Sequence, residues 1–316
     1  MLWESFAAKI LNKEQKDSAS NGLVVGLDDL MSMRRYVPFM RVYHQQKASS
    51  FDSGELKSMF KGRGIEMEEV REYHFGDDVR DIDWRVTARM GEAYTKVYTA
   101  ERNREIYVWL DLSPIMLFGS TKELKSVTAA KIAALLGWMA LDNKDRFGCV
   151  IFDGEHSWNF SPKGDRANIS AICKKIAEVS EKSLYNQINS AEERKKSLKL
   201  LSRQARKGGN IFLISSFLFW NDDYDSEISY IAKANNSVLL NIYDELERKA
   251  PPSGQYMAEF AGEKFVFDSS DRSYKKNYKE YFADKNKALA DRCKLLGCQL
   301  LDLSQNSVLT GKLKIL

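Results

Sequence analysis

Proline and glycine are scarce, 5 and 18 of 316 residues, which excludes a fibrous or low-complexity chain and allows long uninterrupted helices. Cysteine is rarer still. Cys149, Cys173, Cys293 and Cys298 form no C-x-x-C pair, and His44, His74 and His156 lie far apart, so a structural zinc site is excluded. The longest apolar runs, Ile132 to Leu141 and Ile211 to Trp220, fall short of the about 20 residues that a bilayer span needs. The second is also broken by Ser215 and Ser216. Met1 to Phe6 lacks the basic start and apolar centre of a secretory signal, so a soluble cytoplasmic protein is expected. An excess of one charge is missing too. With 48 Lys and Arg against 44 Asp and Glu, the net charge of +4 is too even to anchor the chain to nucleic acid, and no nucleic-acid partner is expected.

What is present is enough apolar material, 44% of residues, to bury a sizeable core. Leu2, Trp3, Phe6, Ile10 and Leu11 recur at helical spacing, which predicts a helix over 2–14, and a second helix is expected from Asp28 or Asp29 to beyond Pro38, with a kink at the proline. From Glu105 onward the periodicity alternates. Strands are expected at 104–111, 147–152, 156–160, 210–215, 237–244, 256–260, 264–267 and 299–303, with helices at 121–141, 165–179, 192–206, 225–233 and 273–296. Such alternation predicts an α/β fold, a mostly parallel sheet with helices on both faces, in a domain over 105–316 preceded by a helical and charged-loop region over 1–104. Ligands of these sheets bind at the carboxyl ends of the strands, where Asp111 and Ser216 fall.

Enzyme signatures are missing: no phosphate-cradling G-x-x-x-x-G-K-[ST], no G-x-S-x-G and no H-E-x-x-H occurs, and neither His74 nor His156 has a nucleophile at recognisable spacing. The most informative stretch runs from Lys61 to Arg89, where Arg71, Arg80, Arg85 and Arg89 interleave with Asp77, Asp78, Asp81 and Asp83 around Trp84. Guanidinium forks match carboxylates in pairs, so these residues either knit an irregular segment together, with Trp84 anchoring it to a core, or form a partner-docking surface. The basic run Arg194, Lys195, Lys196, Lys199, Arg203, Arg206 and Lys207 lacks aromatic residues for base stacking and reads as a solvated helix face.

At these residues the chain resembles a known bacterial family. Gly62-Arg63-Gly64, Arg71-Glu72-Tyr73, the run Gly76-Asp77-Asp78-Val79-Arg80-Asp81-Ile82-Asp83-Trp84, Ala88-Arg89 and Lys96-Val97-Tyr98 resemble domain-of-unknown-function family fifty-eight, also described as MoxR-associated proteins with a von Willebrand factor A-like domain. The likeness continues through Asp111-Leu112-Ser113, Met116 to Ser120, Lys125-Ser126-Val127 and Asp145 to Gly148. It implies a Rossmann-like A-domain sheet in a non-enzymatic adaptor or assembly factor. The implied partners are a MoxR-type AAA+ ATPase and other A-domain proteins.

A-domains usually hold a metal through D-x-S-x-S after the first strand, a loop Thr and a later Asp. Asp111 and Ser113 match, but Ile115 replaces the second serine, Ser215-Ser216 replace the acid, and no Thr lies between Gly164 and Gly209. Magnesium wants near-octahedral oxygen ligation, so this remainder is a weak cage. A metal-dependent ligand-binding or hydrolase site around Asp111 is the alternative to the adaptor. Without metal, Asp111 is expected to cap the following turn or to pair with a lysine such as Lys122.

Overall fold

The computed structural model describes residues 22–38, 67–74, 77, 79–98, 104–260 and 263–305. The helix expected over 2–14 lies outside them. The chain forms two compact units, one of residues 51–104 and a larger one of residues 1–50 with 105–316.

In the larger unit α1 (Leu27–Ser32) begins where the backbone N–H of Gly26 donates to the carboxylate of Asp29, and it buries Leu30; it is shorter than expected, because the chain tightens into a 3-10 turn at Met33–Tyr36 before Pro38 is reached. The smaller unit holds β1 (Met67–Glu72), α2 (Trp84–Met90) and β2 (Tyr94–Tyr98), with β1 and β2 antiparallel. Of these only β2 has an alternating sequence that reads as a strand, with Tyr94, Lys96 and Tyr98 at every second position. The α2 helix forms because Asp83 accepts the N–H groups of Arg85 and Val86 while Gly91, at φ +85°, turns the chain out of it.

The larger unit continues with β3 (Glu105–Asp111), α3 (Lys125–Asp142), β4 (Arg146–Phe152), β5 (Ser157–Lys163), α4 (Arg166–Ser183), α5 (Ala191–Gln204), β6 (Asn210–Ser215), α6 (Asp225–Ala234) and β7 (Asn236–Tyr243). After β7 come the hairpin β8 (Gln255–Phe260) and β9 (Glu263–Asp268), then α7 (Arg272–Leu296) and β10 (Gln299–Ser304). Six strands form one sheet in the order β10-β7-β6-β3-β4-β5, parallel except for β5, which returns from β4 as a hairpin. This is the mixed α/β architecture, with a mostly parallel sheet, that the alternation predicts.

The central strands are near-continuous apolar runs because both sheet faces are covered. Every residue of β6 is buried, and in β3 and β4 only the first residue is not. Helix α3 has no wet face, since all of it from Lys125 to Ala140 is buried. Gly137 allows this, because a Cβ there would stand 3.0 Å from the Phe147 ring. Buried indoles find hydrogen-bond partners, as their polar edges require. Trp138 donates to the Leu30 carbonyl at 3.1 Å, which ties α1 to α3, and Trp109 donates to the Ser197 hydroxyl at 2.9 Å, which ties β3 to α5.

Strand β3 pairs with β4 on one side and β6 on the other. The chain therefore moves outward in one direction after β3 and returns to the opposite side at β6. That reversal opens a crevice at the carboxyl ends of β3 and β6, the usual ligand position in such sheets.

Candidate functional site

Asp111 ends β3 in this crevice and is wholly buried. Its Oδ1 accepts the Ser113 N–H at 3.0 Å and its Oδ2 accepts the Ser215 hydroxyl at 2.6 Å. Asp111 thus caps the following turn, as one of the two metal-free expectations had it. Ser215, at the position where the resemblance led an acid to be expected, serves as its donor.

The cation of the crevice is Arg194. It lies 2% exposed, donates through Nη2 to Ser113 Oγ at 3.2 Å and to the Asn189 side-chain oxygen, and stacks its guanidinium over Phe219 at 4.4 Å and Phe152 at 5.2 Å. Its Nε has no hydrogen-bond partner among the described residues. The sequence reading placed Arg194 on a solvated face, and the structure corrects that. Arg194, Ser197, Leu198 and Leu201 follow the i, i+3, i+4, i+7 rule and form the buried stripe of α5, whereas Lys196, Lys199, Arg203, Arg206 and Lys207 are exposed. The stripe was the signal that could have found it.

Acids also end two neighbouring strands. Asp153, after β4, accepts the N–H groups of Glu155 and His156, and Asp244, after β7, accepts Leu246 N–H together with the N–H and hydroxyl of Ser120. Each carboxylate is consumed by a turn or loop of its own chain. No group of three or more His, Cys, Asp and Glu able to hold a metal occurs among the described residues. Beside Asp244 the buried Lys125 reaches Glu247 at 2.6 Å, and Glu123 joins Lys131 and Thr128. The Lys125–Glu247 pair fastens the start of α3 to the turn after β7, and the Glu123 contacts brace the first turns of α3 itself.

In the smaller unit Arg71 pairs with Asp77 at 2.6 Å and also touches His74. Asp77, which in addition accepts the His74 N–H, has its carboxyl held below the usual range by the Arg71 hydrogen bond first and that backbone bond second. This part of the expected Arg–Asp knitting is present. Asp78 lies outside the described residues. Arg80, Arg85 and Arg89 are exposed, and Asp83 is the α2 cap. Trp84 corrects its expectation, because at 67% exposure it anchors no core, and Val79 and Met90 are exposed beside it in sequence at 58% and 61%.

Residues 69–288 match the family described as "Protein of unknown function DUF58". The chain belongs to this family. Uncharacterized proteins Rv1480 of Mycobacterium tuberculosis and Mb1516 of Mycobacterium bovis are each 24% identical over 217 residues, 69% of this chain and 67% of theirs. Among solved structures, BatB from Bacteroides thetaiotaomicron is 15% identical with a TM-score of 0.38, over 66% of this chain and 95% of that one. An aerotolerance-related membrane protein from Bacteroides fragilis is 13% identical with a TM-score of 0.43, over 66% and 96%. A chain from Vibrio fischeri, 13% identical with a TM-score of 0.22 over 67% and 95%, is described as an uncharacterized membrane spanning protein. The cytoplasmic expectation is corrected at this point, because the similar solved chains include proteins described as membrane proteins. No helix among the described residues is long and apolar enough to cross a membrane.

Proposed function

We propose that this chain is a non-catalytic interaction module of the von Willebrand factor A-like kind, an adaptor or assembly factor that works with a MoxR-type AAA+ ATPase. The observation that carries the reading is the crevice between β3 and β6. A metal-dependent A-domain keeps a divalent cation there for its ligand, whereas here both oxygens of Asp111 are engaged by the protein's own donors and a buried guanidinium supplies the positive charge. A carboxylate so engaged neither coordinates magnesium nor activates water without losing those bonds. Recognition then falls to exposed surface, and Trp84 with Arg85 and Arg89 offers the residue types that dominate interface hot spots.

The test uses the purified chain and a purified MoxR-type ATPase. Calorimetric titration of the chain alone with magnesium is expected to give no binding heat. The ATPase is expected to bind, and Trp84→Ala to weaken it by at least about tenfold, as loss of a hot-spot aromatic does. Tight magnesium binding by the wild-type chain, or no binding of the ATPase, overturns the reading.

A further inference from the structure

Between the carboxyl ends of β6 and β7 and the middle of α7 lies a cavity of about 430 Å3. That volume suits one small ligand, and a parallel sheet presents ligand sites at this edge. Phe217, Leu218 and Trp220 form one wall and Phe282 and Leu289 of α7 form the other. Arg248, Lys285 and Arg292 also line it, against the carboxylates of Glu247 and Asp284. Of these charges Glu247 is held by Lys125 at 2.6 Å, Arg292 by Asp222 and Asp225 at 2.6 and 2.9 Å, and Arg248 by Asp302, so any pull on an anion comes from donor atoms that these pairs leave over.

Two donors at this cavity have no partner among the described residues. The Ser216 hydroxyl is buried without an acceptor, and so is Arg248 Nε, although that guanidinium otherwise pairs with Asp302 and lies 3.5 Å from the Tyr243 ring centre. Unsatisfied buried polar groups are rare in native proteins and each has a cause, such as a bound water, an ion or a ligand. Ser216 and Arg248 both lack the same thing, an acceptor. A hydroxyl and a guanidinium N–H together match the two oxygens of one carboxylate, and a guanidinium bonds an ionised acceptor more strongly than a neutral one.

We propose that this cavity binds a carboxylate carried on an apolar or aromatic body, either a free organic acid or the carboxyl end of a peptide. The body packs between the β6 wall and α7, and side-chain rotation brings the two donors, which lie just beneath the surface, onto the carboxylate. The site is independent of the Arg194 crevice and of the docking reading above.

Thermal melts and titration calorimetry test it with 3-phenylpropionate, its neutral amide, the tripeptide Gly-Gly-Phe and that tripeptide's C-terminal amide. At least one acid is expected to raise the melting temperature and to bind about tenfold or more tighter than its own amide, the difference that a charge-assisted hydrogen bond makes. Binding of the small acid alone identifies a free organic acid as the source, and binding of the tripeptide acid alone identifies a chain end. Ser216→Ala is expected to leave the unliganded melt unchanged or higher, since it removes a hydroxyl that has no partner, while acid affinity falls. Arg248→Met is expected to lower acid affinity as well. No binding of either acid, equal binding of acid and amide, or acid binding unaltered in both variants overturns the proposal.

Discussion

Replacing Arg194 by methionine is the sharpest test of how the strand-end crevice is held together. Methionine keeps an unbranched apolar stem, so packing against Phe152 and Phe219 is largely preserved. What disappears is the guanidinium, with its hydrogen bonds to Ser113 and Asn189 and its place over the two rings. Hydrogen bonds from a charged donor contribute about 1.5–3 kcal/mol each, and a desolvated cation over an aromatic ring about 2 kcal/mol. These are offset in part by the desolvation of the guanidinium, whose Nε is unpaired. The net loss is expected at about 3 kcal/mol, a fall in melting temperature of about 6–12 °C for a chain of this size. The variant also leaves the buried Asp111 carboxylate without a cation in its crevice. Because Asp111 keeps its bonds to Ser113 and Ser215 in the variant, millimolar magnesium is expected to leave the melts of both proteins unmoved, whereas a site held at a hundredfold its Kd would add about 2.7 kcal/mol. Differential scanning calorimetry with and without magnesium measures both. A variant that melts like the wild type, or a wild type stabilised by magnesium, refutes the account of Arg194 as the resident cation.

Three further outcomes are expected. Trp84→Ala should alter unfolding free energy by no more than about 0.5 kcal/mol in denaturant titrations, because the side chain is 67% exposed. Lys125→Ala should cost about 1.5–3 kcal/mol in the same titrations, since it removes a wholly buried ammonium from the partly buried Glu247 carboxylate. Burial pushes the Cys298 thiol up to about 11 and those of Cys173 and Cys293 to about 12, with Cys149 raised as well. The reactive thiolate forms only as pH rises through the folded pKa, so native protein at pH 8 should label slowly with a disulfide reagent and rapidly once unfolded.

The order of strands and helices was legible because the central strands are nearly continuous apolar runs and Asp111 and Ser216 stand at the ends of two of them. The smaller unit was not, since β1 and α2 depend on a cap at Asp83 and on pairing with β2 rather than on a hydrophobic stripe. Trp84 misled for a related reason, as a large aromatic in a charged stretch is compatible with anchoring and with exposure alike. The strand-end chemistry was half legible. Asp111 and Ser113 are neighbours in sequence, but Ser215 is 104 residues from Asp111 and Arg194 is 81 from Ser113. The tie between Ser120 and Asp244 spans 124 residues and has no local signature at all. Arg194 had a signature in its helical spacing, outweighed by the six exposed or half-exposed cations around it.

Helix α3 sits inside the larger unit without a wet side, and this sets how the gene can vary. In α5 and α6 roughly every third or fourth codon faces the core, so tolerated and forbidden positions should alternate in a saturation-mutagenesis map with the helical repeat. Over 125–140 that rhythm should vanish and leave one unbroken intolerant block, including its two lysines, each of which answers a specific carboxylate. A single inserted codon there would turn every later side chain by about 100° into a neighbour it was not shaped for, with no solvent-facing arc to absorb the error. The segment therefore acts as a fixed reading frame for the fold, and drift in the sequence should accumulate around it rather than within it.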